Sequence, residues 1–281
     1  MKRNNLIVFG SEGMLGNMLI KYMDTRYNIL KINRAVFDAN LNMNKIDDLI
    51  KTHLDATIIN CIGVTQDKII SKNSINLAQT IDINSKFPHI LSSIANKYNC
   101  RTIHISTDAV FDKNCGIVSE KHTPNPDNFY GLTKLIGEPI NPQSLTVRTS
   151  IIGPAIDINN KSLWNWLINE KKIEINGYIN SIWSGCTTLQ LSEFIETLID
   201  KKTFFDYRNK TTVIHFCPNS PITKFELIKK IVDELKLNLK VIKSKKEQNE
   251  CRILKSEFYQ RSNQIQDDWS FEIKRLNHFQ K

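Results

Sequence analysis

Tyr130 and Lys134 stand four residues apart in the run Tyr130-Gly-Leu-Thr-Lys134. On a helix that spacing puts both side chains on one face, one turn apart. A phenol with its ordinary pKa of ~10 is a poor acid–base group at neutral pH. The neighbouring ammonium is expected to pull it towards the working range. Thr107 lies twenty-three residues upstream, in Ser106-Thr107-Asp108-Ala109-Val110-Phe111-Asp112. Its hydroxyl could hold a substrate carbonyl while a proton passes to or from the carbonyl oxygen.

A second cluster begins the chain. Leu6-Ile-Val-Phe-Gly10-Ser-Glu12-Gly13-Met14-Leu15-Gly16 reads as a strand, a glycine turn and a helix. Gly10 permits the tight turn, Gly13 the close approach of a pyrophosphate and Gly16 close helix–strand packing. The phosphates would sit at the positive helix N-terminus. The spacing is GxxGxxG rather than the commoner GxGxxG, yet its place at a first strand makes a dinucleotide site the expectation. The second strand ends Leu30-Lys31-Ile32-Asn33-Arg34, with no acid until Asp38. An acid there would take a ribose 2′-OH and an arginine a 2′-phosphate. Arg34 therefore favours NADPH over NADH, the competing reading being a plain surface arginine.

These residues need elements to carry them. Apolar runs predict strands at Leu6–Phe9, Asn28–Ile32, Thr57–Ile62, Thr102–Ser106 and Leu145–Thr149. Helical patterns separate them at Met14–Met23, Asn44–His53, Asn84–Tyr98 and Tyr130–Ile136. Alternation of this kind predicts an α/β fold, a Rossmann-type doubly wound parallel sheet. After Gly153 the rhythm changes to a helix Ser162–Asn169, an irregular Gly177–Gly185 segment and a helix Leu189–Lys201. A strand Val213–Phe216, a helix Thr223–Leu235 and a strand Leu239–Ile242 follow. A smaller C-terminal α/β substrate domain is expected from 153–185 plus 217–281. Residues 1–152 and roughly 186–216 would form the nucleotide domain.

Composition narrows the class. The chain has 281 residues, 41% hydrophobic and 24% charged, which argues for a packed globular protein. Six cysteines lie far apart without a CxxC pair, so neither a zinc site nor a disulfide framework is expected. No run approaches the ~18 apolar residues of a membrane span, and the start lacks a secretory h-region; a cytoplasmic protein is expected. From Lys201 onward 18 basic residues face 10 acidic ones. That surplus suits an anionic ligand such as a nucleotide diphosphate. Nucleic acid is not expected, because the basic run at Lys243 is broken by Glu247 and Glu250 and lacks interleaved aromatics.

Taken together, the motifs resemble the extended short-chain dehydrogenase/reductase family, and within it the dTDP-4-dehydrorhamnose reductase branch. The resemblance rests on the three glycines, Asn60-Cys-Ile-Gly63, Ser106-Thr-Asp-Ala-Val-Phe-Asp112, Tyr130-Gly-Leu-Thr-Lys134 with Gly137-Glu138, and Val147-Arg-Thr-Ser150. It covers roughly the first 155 residues well and the rest loosely. It implies that Thr107 bonds a keto oxygen, Tyr130 donates the proton and Lys134 binds the nicotinamide ribose. Asn60, Cys61, Ile62 and Gly63 would line the cofactor path with Gly10, Glu12, Gly13, Met14, Leu15 and Gly16. Asn84 would sit behind the site or serve as a simple capping residue, and Arg148 would be an ion-pair partner or a substrate contact.

The related dehydratases place an Asp-Glu pair after the threonine; here Asp108 is followed by Ala109, which disfavours dehydration. An epimerase, or a non-catalytic NADP-binding subunit like that of methionine adenosyltransferase, are the alternatives. Asp108 and Ala109 would adjoin the sugar. In the looser second half, Trp183 would stack on a sugar face or a nucleobase, or else be a core aromatic near the domain junction, with Asn180 and Ser184 bonding hydroxyls or an acetamido group. Arg252 would approach the diphosphate. The implied activity is NADPH-dependent reduction of a dTDP- or UDP-linked 4-keto-6-deoxyhexose, supplying deoxysugars for surface polysaccharide such as O-antigen. A 2-acetamido-2,6-dideoxy sugar fits the departures, and a homodimer is left open.

Overall fold

The computed structural model describes residues 5–70, 76–157, 162–260 and 268–280. Its centre is a sheet whose first four strands are β1 (Asn5–Phe9), β2 (Asn28–Ile32), β3 (Thr57–Asn60) and β4 (Arg101–Thr107). Ser144–Thr149 and Val213–His215 complete it, giving the order β2-β1-β3-β4, Ser144–Thr149, Val213–His215. Every neighbouring pair is parallel. The chain runs from β1 outward to β2, then returns past β1 to build the other half. The strand order therefore reverses between β1 and β3, where open α/β sheets form a crevice beyond their carboxyl ends.

Both faces are covered, which explains the unbroken apolar runs. Period-two alternation sends Leu6 and Val8 of β1 to one face and Ile7 and Phe9 to the other. The first face packs against helix α1 (Met14–Met23) and the helix Thr188–Ile199 through Leu15, Leu19, Leu191 and Ile195. The second packs against Phe87, Leu91 and Ala95 of the helix Phe87–Lys97.

The second half departs most from expectation. The stretch expected to be irregular, Gly177–Gly185, lies largely in two strands, Glu174–Tyr178 and Ser181–Trp183. The first pairs with Lys240–Ser244. The second belongs to a four-stranded sheet ordered Ile222–Thr223, Ser181–Trp183, Glu250–Leu254, Gly116–Val118. Pairing of strands distant in sequence gives no local signature, so Glu250–Leu254 and Gly116–Val118 escaped the pattern. A separate apolar cluster of Trp164, Trp183, Ile222, Leu227, Ile231, Trp269 and Ile273 backs these strands. The closing helix Trp269–Gln280 supplies part of it and was also unforeseen.

Helix α1 is docked so closely that a Cβ on Gly16 would overlap the Gly10 carbonyl. Gly16→Ala is expected to cost about 1–3 kcal/mol, as overpacked sites do. A melting temperature unchanged from wild type would show that the helix shifts freely.

Candidate active site

The glycine turn is shaped by backbone contacts. Gly10 adopts φ +80°, and a Cβ there would meet the Cys61 carbonyl carbon at 3.1 Å. Its N–H and that of Ser11 both reach the Ile32 carbonyl, at 2.9 and 3.1 Å, tying the turn to β2. Gly13 is the N-cap of α1 and no side chain caps the helix. The first-turn N–H groups of Met14, Leu15 and Gly16 therefore have no helical acceptor and suit an anion. Leu15 itself is a core side chain, so only its backbone could serve. Glu12 is exposed and accepts from Asn33 Nδ2 at 2.7 Å. Arg34 is exposed and paired with Asp38 at 2.8 Å, beside the end of β2.

Across the switch point, one row of the sheet aligns Phe9, Asn60, His104 and Thr146. Asn60 Oδ1 accepts from the Ile62 N–H at 3.0 Å, leaving its Nδ2 facing His104 Nδ1 at 3.1 Å. The segment Cys61–Gly63 is thereby held open beyond β3. Asn84 holds the next residue: its Oδ1 accepts from Val64 N at 2.7 Å and its Nδ2 donates to Val64 O at 3.0 Å and Thr133 Oγ1 at 3.1 Å. Asn84 is fully buried in a wide, π-type turn, Asp82–Lys86, a distortion common at functional sites. It joins the loop after β3 to the helix Phe129–Ile136 rather than capping a helix.

That helix carries Tyr130 and Lys134. Asn128 caps it by accepting from Gly131 N at 2.9 Å. Gly131 lets it approach until a Cβ would overlap the Ala109 carbonyl. Lys134 is 3% exposed, and its Nζ donates to the Ile105 carbonyl at 2.7 Å and lies 3.3 Å from His104 Nε2. Burial holds the Lys134 pKa down to about 8, against upward pulls from Glu138 and Cys61. Burial also keeps His104 neutral. Because Nδ1 accepts from Asn60, the ring proton falls on Nε2, facing Lys134; this contact favours the amine over the ammonium.

Thr107 caps a short turn, Asp108–Val110: its Oγ1 accepts from Ala109 N at 3.2 Å and donates to Asp108 Oδ1 at 3.1 Å. The Thr107 hydroxyl lies beside the Tyr130 phenol and acts to lower its pKa. The expected lowering of Tyr130 is reversed. Burial, with smaller contributions from Asp108 and Asp67, pushes the phenol up to about 12, against Thr107 and Arg252. Desolvation is the largest influence on the phenol, and it prevails. Tyr130 is thus a phenol, already protonated for donation, beside a hydroxyl that can share the same acceptor.

Asp108 is buried, which raises its pKa, while Arg252 beside it at 3.8 Å acts in the opposite sense. Arg252 also faces Asp127 at 3.6 Å and donates from Nε to the Asp112 carbonyl at 3.3 Å. Arg148 is a structural ion-pair partner: its guanidinium grips both Glu138 oxygens at 2.8 and 2.7 Å, with Ser106 completing the set at 2.7 Å.

Three expected sugar contacts are otherwise engaged. Trp183 is 5% exposed, lies against Trp269 with ring centroids 5.2 Å apart, and donates to Ser150 Oγ at 2.7 Å. Ser184 is fully buried and its Oγ accepts from Leu254 N at 2.9 Å. Asn180 knits a turn, accepting from Lys246 N at 2.8 Å and donating to Lys246 O at 3.0 Å. Trp183 and Ser184 are taken up in the packing and hydrogen bonding of the second sheet, while Asn180 is half-buried in the turn before Ser181–Trp183. Among the described residues no cluster of metal-ligating side chains forms, and no helix is long and apolar enough to cross a membrane.

With this geometry in view, the comparisons decide the family. Residues 4–259 match the family described as RmlD substrate binding domain. The chain belongs to that family. A dTDP-4-dehydrorhamnose reductase of Aggregatibacter actinomycetemcomitans is 27% identical over 152 residues, 52% of this chain and 50% of that protein. A probable low-salt glycan biosynthesis reductase of Haloferax volcanii is 27% identical over 161 residues, with 52% of each chain covered. The chain thus spans about half the length of the curated relatives it matches. Similar folds include a dTDP-4-dehydrorhamnose reductase from Clostridium acetobutylicum (TM-score 0.82, 19% identity, 98% and 99% of the two chains). Another, from Bacillus anthracis, was solved in complex with NADP (TM-score 0.80, 20% identity, 99% of each).

The Trp183 environment generates a prediction. Trp183→Ala is expected to cost ~3–5 kcal/mol of stability, as truncation of a core aromatic does. Melting of the variant checks this; a stable variant would return the ring to the binding surface.

Proposed function

We propose that this family member is an NADPH-dependent reductase of a nucleotide-linked 4-keto-6-deoxyhexose, supplying deoxysugars for surface polysaccharide. The observation that carries the reading is the placing of Thr107 beside Tyr130 at the carboxyl end of β4, across the switch point from the N-terminus of α1, which no side chain caps. The smaller C-terminal elements are read as the substrate domain. The relatives named as reductases and the Bacillus anthracis structure with NADP support the same class.

The residues present fit a dinucleotide. Gly10 and Gly13 leave the α1 N-terminus open, and Cys61–Gly63 continues the same crevice. When bound, NADPH supplies the hydride that adds to the carbonyl carbon. The chain's own residues do the rest. Thr107 and Tyr130 share the carbonyl oxygen, and Tyr130 gives it the proton that turns the developing alkoxide into an alcohol. Lys134, fixed by the Ile105 carbonyl, presents its remaining hydrogens to the nicotinamide ribose and lowers the cost of the phenolate left behind. Arg34 is read as the group for the 2′-phosphate, its contact with Asp38 being at an exposed site where such pairs contribute ~0–1 kcal/mol.

The reading is tested with dTDP- and UDP-linked 4-keto-6-deoxyhexoses, following loss of NADPH absorbance and identifying the product by NMR. Turnover with C4 reduced supports it; tight NADPH binding without oxidation of any ketosugar points to a binding module and overturns it. Tyr130→Phe is expected to keep fold and NADPH affinity but lose ~10²–10⁴-fold in kcat, the usual worth of a positioned acid. Wild-type turnover from this variant would remove Tyr130 from the mechanism. The pH profile adds a sign. Lys134 loses its proton near 8, so kcat/KM falls as pH rises through that value. In Lys134→Arg the guanidinium stays charged, and the alkaline limb should vanish from whatever activity remains. A wild-type profile level across that range would show that the charge is not required.

A further inference from the structure

Lys224 takes no part in the chemistry described above, and nothing in the fold explains it. It is the first residue of the helix Lys224–Leu235, whose N-cap Thr223 forms a reciprocal capping box with Glu226. A cation is unfavourable at a helix N-terminus. Its ammonium lies 4.7 Å from the centre of the Trp183 ring, half-buried, where burial holds its pKa down to about 8. Among the described residues it donates no hydrogen bond and forms no ion pair. Apart from the ring, the charges of Asp108 and Glu250 act to keep it protonated, yet a desolvated charge without a hydrogen bond is costly.

The second sheet shows where this charge points. One row across it aligns Gly116, Arg252, Trp183 and Ile222. Lys224 follows Ile222 by two residues, so Arg252 and Lys224 flank Trp183 on its two sides. Both act electrostatically on Asp108, next to Thr107. Among the described residues Arg252 uses only Nε in a hydrogen bond; its two approaches to Asp108 and Asp127, at 3.8 and 3.6 Å, are beyond hydrogen-bond length. Four N–H hydrogens of Arg252 and three of Lys224 thus remain available. So many unfilled donors call for an acceptor-dense, anionic group, and a neutral sugar hydroxyl would satisfy too few of them.

We infer that Lys224 is a substrate-binding residue, seated on Trp183 and paired with Arg252 to receive the phosphate oxygens of a nucleoside diphosphate. Trp183 serves as the apolar platform beneath the ammonium rather than as a stacking surface for the sugar. The inference rests on the nucleotide-sugar reading above and adds to it the residue that reads the diphosphate from the helix side.

The test is calorimetric binding of dTDP, UDP and inorganic pyrophosphate, with thymidine and uridine as controls lacking phosphate. Wild type, Lys224→Gln and Lys224→Arg are compared, each also titrated with NADPH. Lys224→Gln should weaken dTDP or UDP by roughly tenfold or more, the loss of a charge-assisted contact. NADPH affinity should be unchanged, Lys224→Arg should recover most of the loss, and the Gln variant should melt no lower than wild type. Wild-type affinity for both diphosphates in the Gln variant overturns this inference alone. A wild-type protein that binds NADPH but neither diphosphate overturns the nucleotide-sugar reading, and this inference with it. Pyrophosphate weakened equally with the nucleotides assigns the contact to phosphate; a marked fall in melting temperature without rescue by Arg makes Lys224 structural and overturns the assignment.

Discussion

A single buried ammonium organises the centre of this protein. Lys134 is desolvated to the point that its proton is held weakly, and the Ile105 carbonyl is the acceptor that makes its burial tolerable. A strand carbonyl is free for this only where a strand runs out of partners, at the carboxyl edge of the sheet. The helix Phe129–Ile136 must therefore lie close to that edge. Gly131 and Gly137 make the approach possible, since a Cβ on either would overlap a backbone carbonyl, of Ala109 or Asn84. Asn84 then closes the circuit by bonding both Val64 and Thr133. One charge thus fixes the spacing of β3, β4 and the catalytic helix.

The same constraint explains why Tyr130 is a strong holder of its proton. Burial, which disfavours the phenolate, prevails over the lowering influences of Thr107 and Arg252. On the reading proposed above, a phenol that keeps its proton is the useful state, because it would be charged only as the alkoxide takes that proton, with the Thr107 hydroxyl beside it.

The first half of the fold was legible because buried parallel strands leave short apolar runs, and helices between them keep their own period. β2 and α1 fall on the residues read from the sequence. The glycine turn was legible because its chemistry is backbone chemistry, carried by residues that lack a side chain. The second half was not, because its sheet pairs strands as far apart as Gly116–Val118 and Glu250–Leu254. Trp183, Asn180 and Ser184 looked functional as residue types, yet long-range pairing buries Trp183 and Ser184 and ties Asn180 to the backbone of Lys246. Lys224 carried one local sign, the Thr-x-x-Glu box that starts its helix; nothing local revealed that its charge would be stranded.

The basic surplus of the C-terminal residues takes a different meaning once paired charges are set aside. Lys201 meets Asp55, Lys229 meets Asp233, Lys240 meets Glu174 and Lys246 meets Glu250, all at or near the surface. Such pairs contribute little to stability and leave little net field at a distance. What remains unspent near Thr107 and Tyr130 is Arg252, held loosely between two carboxylates, and Lys224 on its tryptophan. Asp108 acts on both, so on the proposed reading an anion must supply enough acceptors to outbid a buried carboxylate. That requirement favours a diphosphate over a single carboxylate. Asp108 is also the residue after Thr107, so the groups read as holding the diphosphate and the hydroxyl read as holding the sugar carbonyl meet where a strand end of the first sheet adjoins a row of the second.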